Sequence, residues 1–165
     1  MTAVSPLFRA AGRLVSPGGA KGKLTILAYH RVLADVDPML SKDQIDARKF
    51  ANHMAAIAEC FNVLSLPQAL DQMASGTLPP RALSITFDDG YQDNYTIALP
   101  ILLQHGFKAT FFVCSGYIND GLMFNDVIVE AIRVSQSHSL DLSWLMLGHI
   151  PLNDLGQSVQ RSKKY

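Results

Sequence analysis

Two adjacent carboxylates, Asp88 and Asp89, precede Gly90 at the end of an apolar, strand-like segment. Two like charges this close are costly in a packed loop unless a cation neutralises one of them. Neighbouring side chains of a strand point in different directions, so one carboxylate can bind a metal while the other faces the metal-bound water. That arrangement suits metal-assisted hydrolysis, in which the metal lowers the pKa of water and the free carboxylate accepts its proton. The three residues also make an ordinary Asp-Asp-Gly turn, and the dipeptide alone leaves both interpretations open.

The carboxylates follow the segment 82–87, which is short, apolar and rich in β-prone residues and is predicted to be a strand. Segments 24–29 and 109–113 have the same character. Helical patterns separate them, and this alternation predicts βαβ units and a parallel sheet. In such folds the chemistry lies at the carboxyl ends of the strands. The first strand runs directly into His30, which is therefore a second candidate residue.

The apolar spacing of the intervening segments predicts three helices before the third strand and a further helix over 125–133. Their apolar residues are Phe50, Met54, Ile57 and Phe61; Leu66, Leu70 and Met73 after an N-cap at Ser65; and Ile97, Ile101 and Leu102 within 93–105. Pro100 predicts a kink or a late start in the third helix, and Gly106 is expected just past its end. A very short strand is expected at 62–64, and 153–165 has the pattern of a helix that has just begun.

Length and composition restrict the possible functions. The chain has 165 residues, of which 48% are hydrophobic and 17% charged, and its formal net charge is zero. These values predict one ordered domain, and they give no support to a nucleic-acid or an anionic-membrane partner. No run of 18 apolar residues indicates a transmembrane helix. Charged and glycine residues near the start interrupt any signal-peptide core, so the sequence shows no export signal and the location stays unknown. Residues 1–22 are predicted to be a flexible leader and 23–165 the domain.

The two cysteines, Cys60 and Cys114, form no Cys-x-x-Cys pair. A zinc site built from cysteines and a thioredoxin-type motif are therefore both unsupported. We expect both to be buried free thiols, because free cysteine is among the most buried residue types.

The string ITFDDGY at 85–91 resembles the first motif of the polysaccharide deacetylases, the NodB-homology group or carbohydrate esterase family 4. YHRV at 29–32 is similar to the first strand of the poly-N-acetylglucosamine deacetylase-like branch. LPIL at 99–102, Gly106 and ATFFV at 109–113 resemble the segment that follows the first motif. The resemblance covers about residues 24–133. It implies an α/β fold, specifically an incomplete, distorted (β/α) barrel, and a metal-dependent hydrolase that removes N-acetyl groups from an N-acetylated polysaccharide.

The resemblance also implies a role for each matching residue. Asp88 would be the catalytic base that activates water, and Asp89 a ligand of a divalent metal, most often zinc. His30 would be the general acid that protonates the leaving amine. Tyr91 would offer its backbone N–H to the oxyanion. The sequence does not say which polysaccharide is the substrate.

The sequence departs from the family pattern downstream of the aspartates. The family's second motif, H-[ST]-x-x-H, supplies two histidine ligands, but here His138-Ser139 is followed by Leu142 in place of the second histidine. One aspartate cannot hold zinc in the usual site of three protein ligands. We therefore expect a domain truncated at its C-terminus. Three hypotheses remain: the N-terminal part of a deacetylase, a non-catalytic glycan-binding module, and an inactive fragment. Of the remaining histidines, His53 is interpreted as a packing or solvated helix residue, His105 as structural and His149 as a loop residue.

Overall fold

The computed structural model describes residues 11–12, 14–37, 39–40, 44–119 and 121–152. The strands are β1 (Leu24–Tyr29), β2 (Asn62–Val63), β3 (Ala82–Phe87), β4 (Ala109–Phe111), β5 (Ser139–Asp141) and β6 (His149–Pro151). The helices are α1 (Ala47–Cys60), α2 (Leu66–Ala74), α3 (Leu99–Gln104) and α4 (Phe124–Val134). A π-helical turn spans Asn94–Ala98, and short 3-10 helices span Gly19–Lys21, Ser115–Tyr117 and Ser143–Leu145.

The described residues form two compact units. The described parts of Met1–Asp35 and Ile45–Cys114 form the first unit, which contains β1 to β4 and α1 to α3. The described parts of Val36–Gln44 and Ser115–Tyr165 form the second. It contains α4 and the antiparallel hairpin of β5 and β6. An ion pair of 2.6 Å joins Arg133 of α4 to Asp37 within this second unit.

Strand β3 is the centre of the sheet in the first unit. All of its neighbours run parallel to it: β1 pairs along its whole length, β2 pairs with its first two residues and β4 with its last three. Since a strand has two edges, β2 and β4 share the edge that β1 leaves. Every residue of β3 is buried as a result, which explains its nearly continuous apolar sequence. This parallel arrangement confirms the predicted α/β class.

The main core of the first unit packs α1 and α3 against the sheet. Tyr29 at the end of β1 stacks on Phe87 at the end of β3, with 5.5 Å between ring centroids. Phe87 also stacks on Phe111 of β4 at 5.0 Å, and Phe50 of α1 contacts both Tyr29 and Phe87 edge-on. These aromatic contacts fix the ends of three strands relative to one another.

Helix α1 follows its sequence prediction closely. The Asp46 side chain accepts a hydrogen bond from the Lys49 backbone N–H at 2.8 Å and so caps the first turn. Phe50, Met54 and Ile57 are buried, which confirms the predicted face. Phe61 lies just past the helix end and packs at the edge of the core.

Helix α2 begins after Ser65 as expected, but its predicted apolar face is met only in part. Leu66 is half-buried, whereas Leu70 and Met73 are exposed, and the buried residue of the helix is Ala69. Ala69 packs against Leu78 and Ala82 in a small second cluster. The buried side of α2 is therefore the one that carries Ala69, and Leu70 and Met73 lie on its solvent side.

The predicted helix over 93–105 has an irregular first turn. The N–H of Leu99 donates to the carbonyl of Asn94, five residues earlier, and the regular helix α3 begins at Leu99 with Pro100 in its first turn. Proline lacks an N–H and is tolerated at that position. Residues 92–93 are already helical, so the helical run begins close to the predicted position, and Pro100 follows the π-helical turn without delaying the start. Gly106 adopts φ +65° just past the helix end, also as predicted.

Other sequence predictions are met in part. Strand β4 ends at Phe111, two residues earlier than predicted. Cys60 and Cys114 are free, but each is half-buried rather than buried. Within the predicted leader, Gly19–Lys21 form a 3-10 helix, and the N–H of Gly19 donates to the Leu78 carbonyl at 2.7 Å. The boundary at residue 22 stays a prediction, and the helix predicted over 153–165 lies outside the described residues. In the described part of the chain, every helix is too short or too polar to cross a membrane.

Candidate functional site

The candidate site lies where β1 and β3 end side by side. The two strands are parallel and in register, with Tyr29 opposite Phe87, and the N–H of Asp88 donates to the Tyr29 carbonyl at 2.9 Å. His30 and Asp88 therefore leave the sheet next to each other. Their side chains approach to 4.0 Å between His30 Nε2 and Asp88 Oδ2. The structure thus brings together the two residues proposed from the sequence as acid and base.

Both side chains are open to solvent. The His30 side chain is 62% exposed and that of Asp88 39%. A carboxylate next to an imidazole at this distance can accept a proton from water while a protonated imidazole donates one to a leaving group.

The acidic turn after β3 has an unusual backbone. Asp89 and Gly90 both adopt a left-handed conformation, with φ +74° and +76°. A Cβ on Gly90 would lie 2.9 Å from Cγ1 of Val113, so the site requires glycine on steric grounds as well. A non-glycine residue at positive φ is strained, and such strain concentrates at functional sites.

Cys114 contacts the acidic turn, although sequence reasoning did not associate it with the site. Its Sγ lies 3.6 Å from Asp89 Oδ1, and its N–H donates to the Asp89 carbonyl at 3.4 Å. Partial burial first, and then the hydrogen bond and charge of Asp89 and the charge of Asp88, raise the pKa of the Cys114 thiol. The available signal was the parallel pairing of β4 with β3, which places the residues that follow the two strands close together.

Tyr91 lies at the rim of the turn. The guanidinium carbon of Arg31 lies 4.6 Å from the centroid of its ring, within range of a cation–π contact. Tyr91 also borders a shallow, mainly apolar cavity of about 200 Å³ beside the turn. The other residues lining this cavity are Gly90, Asn94, Tyr95, Leu99, Phe111 and Val113.

Two buried polar residues behind the turn also escaped the sequence reasoning. The Asp93 carboxylate accepts hydrogen bonds from Arg31 Nε at 2.8 Å and from the Val32 N–H at 3.1 Å. The Asn94 side-chain amide donates to the His30 carbonyl at 2.8 Å. Polar residues at the start of a helical pattern are ordinarily solvated, so their position after the DDGY string was the available signal.

The remaining histidines have local partners or lie apart from the turn. Tyr29 Oη and His53 Nδ1 are 3.1 Å apart, and burial raises the pKa of Tyr29 to about 12. His149 lies 3.7 Å from Asp141 in the β5–β6 hairpin. His105 stacks against Phe107 at 5.4 Å. These contacts agree with the interpretations of His53 and His105, but His149 is the first residue of β6 and not a loop residue as predicted.

The described residues were tested for a metal site by their donor atoms. Among them, no three His, Cys, Asp or Glu side chains gather closely enough to hold a metal ion. Catalytic zinc takes three protein ligands and a water molecule. Asp89 offers a carboxylate, but the side chains of the described residues around it do not complete such a set, so they do not fit the metal on their own.

Comparison with known proteins identifies one family. A family model described as polysaccharide deacetylase matches residues 75–163, which include the acidic turn. The Bacillus subtilis protein YxkH, whose name describes a polysaccharide deacetylase, is 28% identical to this chain over 143 residues. That alignment covers 86% of this chain and 48% of YxkH, so the chain spans about half the length of this relative.

Two solved structures share the fold. The Streptococcus pyogenes deacetylase PplD, solved in complex with acetate, has a TM-score of 0.54 and 25% identity, over 72% of this chain and 57% of PplD. A de-N-acetylase from Aggregatibacter actinomycetemcomitans has a TM-score of 0.50 and 22% identity, over 85% of this chain and 51% of that protein. These likenesses confirm the predicted fold, that of a NodB-type deacetylase of which this chain spans a part.

Proposed function

Because this chain belongs to the polysaccharide deacetylase family, we propose that it contributes the acid–base half of a hydrolase that removes N-acetyl groups from an N-acetylated polysaccharide. The bond broken is a carbon–nitrogen bond that is not a peptide bond. The observation that carries the proposal is the pairing of His30 with Asp88, 4.0 Å apart at the carboxyl ends of two adjacent parallel strands. The neutral net charge of the chain agrees with a neutral polymer as partner.

The proposed chemistry assigns one task to each of three residues. Asp88 accepts a proton from the attacking water, whose oxygen forms a bond to the acetamide carbonyl carbon. The Tyr91 backbone N–H stabilises the negative charge that develops on the carbonyl oxygen. Protonated His30 donates its proton to the nitrogen as the carbon–nitrogen bond breaks. The products are acetate and the free amine of the sugar.

Asp89 has a different proposed role. Family members generally use a divalent metal, and we assign Asp89 as one carboxylate ligand of that ion, with zinc as the favoured metal. The described residues do not place enough donor groups around Asp89 to hold the ion. Its remaining ligands must therefore come from elsewhere.

A second function is favoured by the same incomplete set of donors. The chain has no H-[ST]-x-x-H sequence, and His138 has Leu142 four residues after it. A deacetylase fold without a metal site can still bind a glycan. This alternative, a non-catalytic glycan-binding protein, predicts that an N-acetylglucosamine oligomer binds without release of acetate.

One assay separates the two functions. The protein expressed from its full reading frame is incubated with an N-acetylglucosamine oligomer, and both acetate release and heat of binding are measured. We expect acetate release that is lost in Asp88→Asn, while Asp71→Asn, an exposed carboxylate on α2, keeps wild-type activity. Binding without acetate release supports the glycan-binding alternative, and the absence of both contradicts the two proposals together.

A further inference from the structure

Building on the proposed function, we propose that Asp93 is a positioning residue for the proposed general acid His30. Asp93 does not touch His30. It acts through the segment from His30 to Val32, which its carboxylate and the neighbouring Asn94 hold in place at the end of β1.

The evidence begins with the burial and the partners of Asp93. The residue is 9% exposed, and its two carboxylate oxygens accept three hydrogen bonds. Oδ2 accepts from Arg31 Nε at 2.8 Å, and Oδ1 accepts from the Val32 N–H at 3.1 Å and from Asn94 Nδ2 at 3.2 Å. A buried carboxylate is costly unless it is paired and hydrogen-bonded, and these contacts meet both conditions.

Asn94 extends this hold to His30 itself. It is 3% exposed, and its Nδ2 donates to the His30 carbonyl at 2.8 Å while also contacting Asp93. Residues 30 to 32 are therefore held in succession by Asp93 and Asn94: His30 through its carbonyl, Arg31 through its side chain and Val32 through its N–H.

The side chain of His30 makes this hold necessary. It is 62% exposed, and its one described polar contact is the 4.0 Å approach to Asp88. Its position thus depends on its backbone. A catalytic group must be held within about 0.5 Å of its productive position, which demands rigid support behind it.

Arg31 ties the same support to the other strand end. Its guanidinium pairs with Asp93 and also lies 4.6 Å from the centroid of the Tyr91 ring. The Arg31–Asp93 pair therefore joins the residues after β1 to the turn after β3. These two segments carry the proposed acid and base.

A double-mutant cycle tests the proposal in the protein expressed from its full reading frame. Asp93→Asn keeps the size of the side chain and removes its charge. We expect a fall in kcat of about 10- to 100-fold, part of the ~10²–10⁴ that acid–base catalysis contributes, with KM changed less than about twofold. In a His30→Gln background the same substitution should cost no further activity. An equal loss in both backgrounds shows that Asp93 acts independently of His30 and overturns the proposal.

A second measurement does not depend on activity. Amide hydrogen exchange of Val32, followed by NMR, should be slow in the wild type and at least about tenfold faster in Asp93→Ala, with Asp71→Ala as the control. Unchanged exchange in Asp93→Ala overturns the proposed hold. If the wild type releases no acetate but Val32 exchange rises as expected, the proposed deacetylase function fails and the structural role of Asp93 stands. The Asp93→Asn cycle remains decisive should the alanine variant not fold.

Discussion

The N–H of Asp88 donates to the carbonyl of Tyr29 at 2.9 Å, so the hydrogen-bond ladder between β1 and β3 continues one step past the last residue of β3. This bond fixes the position of Asp88 along the strand direction relative to His30. Because the strands are parallel, residues that are almost sixty positions apart in sequence become neighbours at one edge of the sheet. The closeness of His30 and Asp88, the proposed acid and base, is therefore a consequence of strand register.

The role of His30 can be tested through the leaving group. His30→Gln should lower kcat on an N-acetylglucosamine oligomer by about 10²–10⁴, because the departing amine then lacks its proton donor. Hydrolysis of p-nitrophenyl acetate should fall much less, since nitrophenolate leaves without a proton. Steady-state kinetics on both substrates provide the measurement. Equal losses on amide and ester would contradict the assignment of His30 as the acid.

Replacing Gly90 by alanine should cost more stability than the same replacement at Gly106, whose backbone conformation is similar. Gly90→Ala places a Cβ 2.9 Å from Val113 Cγ1 at φ +76°, whereas Gly106→Ala has the same kind of φ and no atom within 4 Å. Both variants incur the conformational cost, and the clash should make Gly90→Ala less stable than Gly106→Ala by about 1–2 kcal/mol. Urea unfolding measures both free energies. Equal losses would show that Val113 moves aside freely.

Cys114 should react slowly with thiol reagents. Partial burial and the neighbouring Asp89 raise the pKa of its thiol, so less thiolate is present at a given pH. In a Cys60→Ser background, the rate with Ellman's reagent at pH 8 should be below that of free cysteine, and Asp89→Asn should increase it. A rate unaffected by Asp89→Asn would contradict a contribution of Asp89 and leave burial and the charge of Asp88 as the causes.

The stability of the protein should fall in alkaline solution through Tyr29. Burial raises the pKa of Tyr29 to about 12 from an ordinary value of 10. Above pH 10 the unfolded chain loses this proton while the folded chain keeps it, so the free energy of unfolding decreases as pH rises from about 10 toward 12. Tyr29→Phe should remove this part of the pH dependence. Chemical unfolding between pH 9 and 11 compares the two proteins.

The packing of α2 gives a further prediction. Leu70→Ala should lower the free energy of unfolding by less than about 1 kcal/mol, because Leu70 is exposed. Ala69→Leu should cost about 1–3 kcal/mol, because Ala69 is fully buried against Leu78 and Ala82. Thermal or urea unfolding checks the order of the two variants. The reverse order would restore the face predicted from helical spacing.

The sequence was informative where a local pattern determines the structure. The apolar run ending at Phe87, followed by Asp88 and Asp89, was enough to place the carboxylates at a strand end, and the parallel pattern placed His30 beside them. The position of Gly106 just past the end of α3 followed from the same kind of local signal. Each of these results depends on backbone geometry within a few residues or on the rule that parallel strands align their carboxyl ends.

The sequence was uninformative where distant contacts decide. Nothing local distinguishes Asp93 from a solvated residue, because its burial depends on Arg31 and Val32, sixty residues earlier. The buried face of α2 follows from Ala82 at the start of β3 and not from its own pattern. The roles proposed for His30, Asp88, Asp89 and Tyr91 all stay predictions, because their tests require substrate and metal.

The position of β3 between all its neighbours has a consequence for the order of events during synthesis. Within the described residues, β1 and β2 pair only with β3, and both leave the ribosome before it. With the chain growing at about 5–20 residues per second, β1 waits several seconds for the strand that completes its ladder. During that interval the edges of β1 are open to other chains. We expect fast translation, or a chaperone that binds the nascent chain, to improve the yield of native protein more than a change in any residue of the site.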